Sequence, residues 1–100
     1  MKKFTVTYLQ TAQKDLLDIF EYIAKDKPGM AKAYLQKLDQ TILLLEKNPQ
    51  MGTLPKDDHL KKKGYRILIF EAYLIFYVVK KSSIQIRRVV HGARQYHFLF

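Results

Sequence analysis

Residues 73–91 read YLIFYVVKKSSIQIRRVVH, and this stretch decides the fold. β-Branched and aromatic residues dominate it, which is strand composition. A turn-sized interruption, Lys81-Ser82, divides it into YLIFYVVK (73–80) and SIQIRRVVH (83–91), two strands joined as a hairpin. Just upstream, YRILIF (65–70) has the same character, and only Glu71-Ala72 separates it from Tyr73, so a second hairpin is predicted. In the segment YLIFYVV both parities are apolar: Tyr73, Ile75, Tyr77 and Val79 on one face, Leu74, Phe76 and Val78 on the other. A strand with two apolar faces expects cover on both. The stretch 83–91 poses a different problem. Ile84, Ile86, Arg88 and Val90 share one face, so the more apolar face carries an arginine. Either Arg88 is paired with an acid near the core, or a bulge switches the faces.

The preceding half is helical. KFTVTY (3–8) alternates, with Phe4, Val6 and Tyr8 on one side, and reads as a short half-buried strand. Thr11 is placed to cap a helix in which Leu16, Ile19, Phe20 and Ile23 recur at helical spacing, with Asp15, Asp18 and Glu21 on other faces. KDKPG ends that helix, because Pro28 disfavours a helical residue before it. A second helix is predicted from about Pro28 to Lys47, with Ala31, Tyr34, Leu35, Leu38, Ile42 and Leu45 in one stripe. Leu43 and Leu44 widen the stripe, which predicts contact with two surfaces. The short connection makes the two helices an antiparallel hairpin. NPQMGTLPKDDHLKKKG (48–64) is polar and broken by proline and glycine, and reads as a loop with a basic end at Lys61, Lys62 and Lys63. The order is therefore β-α-α-β-β-β: one α+β domain over 1–100, with a helical hairpin on one face of a small, mostly antiparallel sheet. Helices can cover one face only. The other is expected to take the tail residues Phe98, Leu99 and Phe100, a partner, or a second copy.

Composition narrows the function. An apolar content of 48% with 13% aromatics is globular rather than disordered. With no cysteine, disulfides and thiolate metal sites are excluded. No secretory leader is visible, and no run approaches the roughly 20 apolar residues of a membrane span. A soluble, cytoplasmic protein is expected. The net charge of +9 is uneven: residues 1–50 hold eight lysines against six carboxylates, residues 51–100 ten Lys/Arg against three. A basic half of that size attracts RNA, DNA or an acidic protein.

His59, His91 and His97 are the only histidines and have no metal-ligand spacing, the four glycines form no phosphate cradle, and Ser82-Ser83 has no nucleophile elbow. No metal or other cofactor is expected. What remains is a cationic set: Arg66, Arg87, Arg88, His91, Arg94, Tyr96 and His97. RNA cleavage through the 2′-OH needs an acid, a base and cations around the phosphate, which His, Tyr and Arg supply. Arginines at a strand end serve equally to meet a partner's carboxylates.

The order of motifs resembles a known family. TAQKDLLDIFEYIAKDKPGMAKAYLQKL, then LLLEKNPQMG, GYR, YLIFYVV and finally IQIRRVVHGARQ together look like ParE-type toxins of the ParE/RelE superfamily, over nearly the whole chain. The resemblance implies a β-α-α-β-β-β toxin of a type II toxin–antitoxin system. A cognate antitoxin would wrap it with an extended, helix-containing segment. It also implies growth arrest and, for many such systems, plasmid stabilisation. ParE-like members inhibit DNA gyrase by protein contact, whereas RelE-like members are endoribonucleases that cut mRNA on the ribosome. Where the RelE-like pattern has an arginine in the middle strand, this chain has Leu74; Lys61 to Lys63 match its basic residues only loosely. Arg94 matches the arginine after the last strand, Tyr96-His97 imitates a ribonuclease ending, and HGAR (91–94) is the ParE-like ending. The ParE-like reading makes Arg66, Arg87, Arg88, His91, Arg94, Tyr96 and His97 partner-binding. The RelE-like alternative makes His97 or Tyr96 the acid/base and Arg88 and Arg94 phosphate clamps. A non-toxic binding module of the same fold is the third reading. The expected assembly is a homodimer or a toxin–antitoxin hetero-oligomer.

Overall fold

The computed structural model describes residues 3–92. Arg94, Tyr96, His97 and the apolar tail Phe98–Phe100 lie outside them. The element order is β1 (Thr5–Tyr8), α1 (Gln10–Asp26), α2 (Pro28–Leu43) continued by a 3₁₀ turn (Leu44–Glu46), α3 (Asp58–Lys62), β2 (Tyr65–Phe70), β3 (Tyr73–Val79) and β4 (Ser83–His91). The sheet runs β1-β4-β3-β2, with β1 parallel to β4 and both other pairs antiparallel. The predicted β-α-α-β-β-β order and the mostly antiparallel α+β architecture are thus observed, with the short α3 added between α2 and β2.

Each hairpin follows from local chemistry. Phe70 and Tyr73 pair directly, so Glu71-Ala72 is a two-residue loop. Glu71 takes φ 52°, the left-handed conformation such loops demand. Pro28 opens α2 directly after α1, and its lack of an N–H costs nothing in a first turn. Thr11 does not cap α1: the N-cap position is Leu9, without a side-chain cap. Thr11 instead lies inside the first turn and donates its Oγ1 hydroxyl to the Arg87 carbonyl on β4 (2.8 Å).

The helical hairpin covers one face of the sheet. Ala12 and Ile19 of α1, Leu38 and Ile42 of α2, and Leu45 pack on Leu68, Ile75, Tyr77, Ile84, Ile86 and Val89. Several apolar helix positions escape this core: Leu17 and Phe20 on α1 are exposed, and so are Leu43 (40%) and Leu44 (54%), so the end of α2 meets one surface of the chain rather than two.

The second face differs from expectation. The stretch 48–64 is not only loop. Asp57 caps a short helix, accepting from the Leu60 N–H (3.1 Å), and the basic residues lie in its last turn, where the helix dipole favours them. This α3 drops Leu60 onto the face formed by Tyr65, Phe76, Val78 and Val90, with Ile67 and Leu74 at its margin. A segment of the chain other than its tail therefore covers part of the second face. The cover stops short of Ile69, which stays 61% exposed.

Candidate functional site

The arginine on the apolar parity of β4 is resolved by both devices at once. The β3–β4 register pairs Phe76 with Arg88 but Tyr77 with Ile86, so Arg87 is an extra residue in a bulge. The bulge keeps Ile84, Ile86 and Val89 on the helical face. Arg88 is also paired with an acid. Its Nε and Nη2 donate to the two carboxylate oxygens of Asp15 at 2.7 and 2.9 Å. The side chains are only 18% and 10% exposed, and Asp15 holds the guanidinium above the usual arginine range mainly through that hydrogen bond.

This pair has a backbone purpose. β1 ends at Tyr8, opposite Ile86, so the β4 edge beyond it has no strand to pair with. α1 takes over. The Leu9 N–H donates to the Ile86 carbonyl (3.0 Å), Thr11 to the Arg87 carbonyl, and Asp15 accepts the Val89 N–H (2.9 Å). Asp15 therefore faces the core, contrary to its expected place on an outer face. Its spacing could have revealed this, since Ala12, Asp15 and Ile19 fall three and four apart on the buried side of α1.

Arg87 turns to the second face. Its guanidinium lies over the Tyr65 ring, 5.5 Å from the centroid, and Nη2 donates to Gln85 Oε1 at 2.9 Å. Its Nε is buried without a hydrogen-bond partner. Arg66 is a tie for the connection before α3. Its Nε donates to the Gly52 carbonyl and its Nη2 to that of Gln50, both at 3.2 Å. From below, the buried Tyr77 hydroxyl accepts the Gly52 N–H and donates to the Pro49 carbonyl, each at 2.9 Å. A Cβ on Gly52 would stand 2.7 Å from the Ile67 carbonyl oxygen and from the Tyr77 hydroxyl, so only glycine fits there. His91 is exposed at the end of β4, edge-on to Tyr73 (5.5 Å between centroids). It borders a cleft of about 180 Å³ shared with Asp18, Tyr22 and Tyr73.

The four described members of the cationic set do not converge. Arg66 sits against the 49–53 connection, Arg87 on the second face, Arg88 at the α1–β4 seam, and His91 at the far end of β4. Among the described residues, no group of three His, Cys, Asp or Glu side chains could hold a metal ion. Also among them, no helix is long and apolar enough to cross a membrane.

A small mixed sheet under a helical hairpin is a fold this chain shares with chains of solved toxin–antitoxin assemblies. A chain of the chromosomal ParDE TA system from P. aeruginosa superposes with a TM-score of 0.76 at 21% identity, over 89% of this chain and 96% of that one. A chain of the RelBE2 toxin–antitoxin complex from Mycobacterium tuberculosis gives 0.60 at 21% identity, covering 89% and 98%. One of the E. coli DinJ-YafQ toxin–antitoxin complex gives 0.59 at 17%, covering 91% and 94%. At these identities the likeness is one of fold. No curated protein matches significantly. The family is set by the sequence: the model of the ParE toxin of type II toxin–antitoxin systems, parDE, matches residues 6–96. The chain belongs to that family.

Proposed function

We propose that this ParE-family toxin inhibits DNA gyrase by protein–protein contact, arrests growth in the cytoplasm, and is neutralised by a cognate antitoxin. The observation that carries the reading is the fate of the arginines. Arg66 and Arg88 spend their guanidinium donors on carbonyls of the chain and on Asp15, and Arg87 lies on another face. A phosphate-cleaving site needs cations converging on one point, and these diverge. Leu74 supports the same reading, because an apolar side chain stands where the ribonuclease pattern has a cation.

The antitoxin would lie along the helical hairpin, where Leu17, Phe20, Leu43 and Leu44 remain exposed, and continue over Ile69 on the second face. The similar structures of ParDE, RelBE2 and DinJ-YafQ, all toxin–antitoxin assemblies, support such a partner. Arg87, His91, Arg94, Tyr96 and His97 are the proposed partner-facing residues, with Arg66 and Arg88 acting as internal ties.

Inducing the chain in a bacterium and following DNA and protein synthesis separately tests the proposal. Replication arrest with an SOS response, together with inhibition of purified gyrase supercoiling, is the expected result. Early translation arrest with mRNA cuts in the ribosomal A site would overturn it in favour of the ribonuclease, with Arg94, Tyr96 and His97 as its first residues to mutate. The absence of any growth effect would leave a binding module.

A further inference from the structure

One end of the sheet is crowded with lysines. β1, β2 and β4 begin there and β3 ends there, as the registers Thr5↔Ser83, Tyr65↔Val78 and Val79↔Ile84 require. Lys61, Lys62 and Lys63 lead into β2, and Lys80 leaves β3. Lys47 follows the 3₁₀ turn whose Glu46 carbonyl accepts the Phe4 N–H (2.9 Å) at the head of β1. All five are exposed, and none forms an ion pair with a described carboxylate. Glu46, the carboxylate beside Lys47, is within 3.8 Å of Lys3. Three carboxylates share this end, Glu46 with Asp57 and Asp58 at the start of α3, but Asp57 is engaged in capping that helix and the lysines outnumber them.

We propose that this basic end of the sheet binds the backbone of duplex DNA. Three physical points select that ligand. First, the cations are lysines, point charges that neutralise backbone phosphates without demanding one bidentate geometry. Second, the spacing fits. From the Lys47 side at β1 to the Lys61–Lys63 side at β2 there are three strand intervals of about 4.8 Å, or roughly 14 Å, comparable to the roughly 12 Å width of the major groove. Third, the neighbouring aromatic rings are covered. Tyr65 is 5% exposed and Phe76 0%, so no stacking platform is offered to the bases of a single strand. The biological meaning rests on the gyrase reading: gyrase works while holding a DNA segment, and a toxin with a DNA-binding end would dock on the enzyme–DNA complex. The contact with DNA is tested without gyrase.

Fluorescence anisotropy with a labelled duplex of about 20 bp, titrated with the full chain at several salt concentrations, measures the number of phosphate contacts from the slope of log affinity on log salt. A Lys61→Gln/Lys62→Gln/Lys63→Gln variant is compared with Lys25→Gln/Lys27→Gln/Lys32→Gln, which removes equal charge from the helical hairpin. All six positions are exposed, and unchanged circular dichroism verifies both folds. At about 0.9 per contact, loss of three contacts lowers the slope by about 2.7. Between about 200 and 50 mM salt the wild type should therefore gain about 40-fold more affinity than the first variant. The hairpin variant should stay close to the wild type. Equal losses in the two variants, no saturable duplex binding at low salt, or tighter binding of a single strand or a polyglutamate peptide would overturn the proposal. Gyrase inhibition without duplex binding would sink this inference alone; duplex binding without gyrase inhibition would sink only the gyrase reading.

Discussion

Replacing Asp15 by alanine removes the acceptor that holds the α1–β4 seam together. Two losses follow. The Arg88 guanidinium, 18% exposed, keeps its charge in a poorly hydrated place and loses both hydrogen bonds to the carboxylate. Removing one partner of a buried ion pair costs about 3–5 kcal/mol. The Val89 N–H, at a strand edge with no strand beside it, also loses its acceptor, at about 1–3 kcal/mol if it stays dry. Partial hydration of Arg88 discounts the first figure, so the expected loss is about 4 kcal/mol. That is a large part of the roughly 5–15 kcal/mol that stabilises a domain. Urea unfolding followed by circular dichroism would show it as a midpoint lowered by about 2 M or more, at a slope of about 1–2 kcal/mol/M. Asp15→Asn keeps an acceptor for Val89 and should lose less than alanine. Replacing both partners, Asp15→Leu with Arg88→Leu, removes the stranded charge and should recover much of the loss. A loss below about 1 kcal/mol for Asp15→Ala, or a double variant as unstable as the two single losses added, would refute the argument that a desolvated charge is what the carboxylate satisfies.

Gly52→Ala forces a Cβ into the Ile67 carbonyl and the Tyr77 hydroxyl; it should cost about 1–3 kcal/mol in the same urea assay. Leu60→Ala should cost about 2–5 kcal/mol and uncover Phe76 and Val78, seen as faster trypsin cleavage after Lys61–Lys63 than in the wild type. Alkali should also destabilise the fold. Burial pushes the Tyr8 hydroxyl well above its ordinary value, Asp39 adding to the shift, and burial with Glu71 pushes Tyr34 up to about 12. The unfolded chain releases these protons near pH 10 while the folded chain keeps them, so the folded state binds more protons and stability falls as pH rises beyond about 10. Urea midpoints at about pH 8 and 11 measure that fall, and Tyr8→Phe should reduce it; an unchanged fall would show that Tyr8 does not contribute.

The sequence by itself determined the β-α-α-β-β-β order apart from α3, the helical hairpin, the two β-hairpins and the family. These are matters of local periodicity and turn chemistry: two-residue alternation in 3–8, three- and four-residue recurrence from Ala31 to Leu45, breaks at Pro28 and Pro49, and a two-residue loop at Glu71-Ala72. It also stated the Arg88 problem correctly, as a pair or a bulge. Only the tertiary structure decided that both occur, because the reason is not local. β1 is short, β4 outruns it, and the bare edge past Ile86 must find its hydrogen bonds on α1, about 70 residues away in sequence. The same cause moves Asp15 from an expected outer face to the seam and turns Thr11 from a cap into a donor to Arg87. α3 escaped the sequence reading because five residues carry too little periodicity to show a helix; its burial of Leu60 depends on a sheet face that exists only once β2, β3 and β4 have paired. The cationic set met the same limit. Residues that read as one cluster in the chain stand on different faces, since alternation and a bulge send neighbouring side chains Arg87 and Arg88 in different directions.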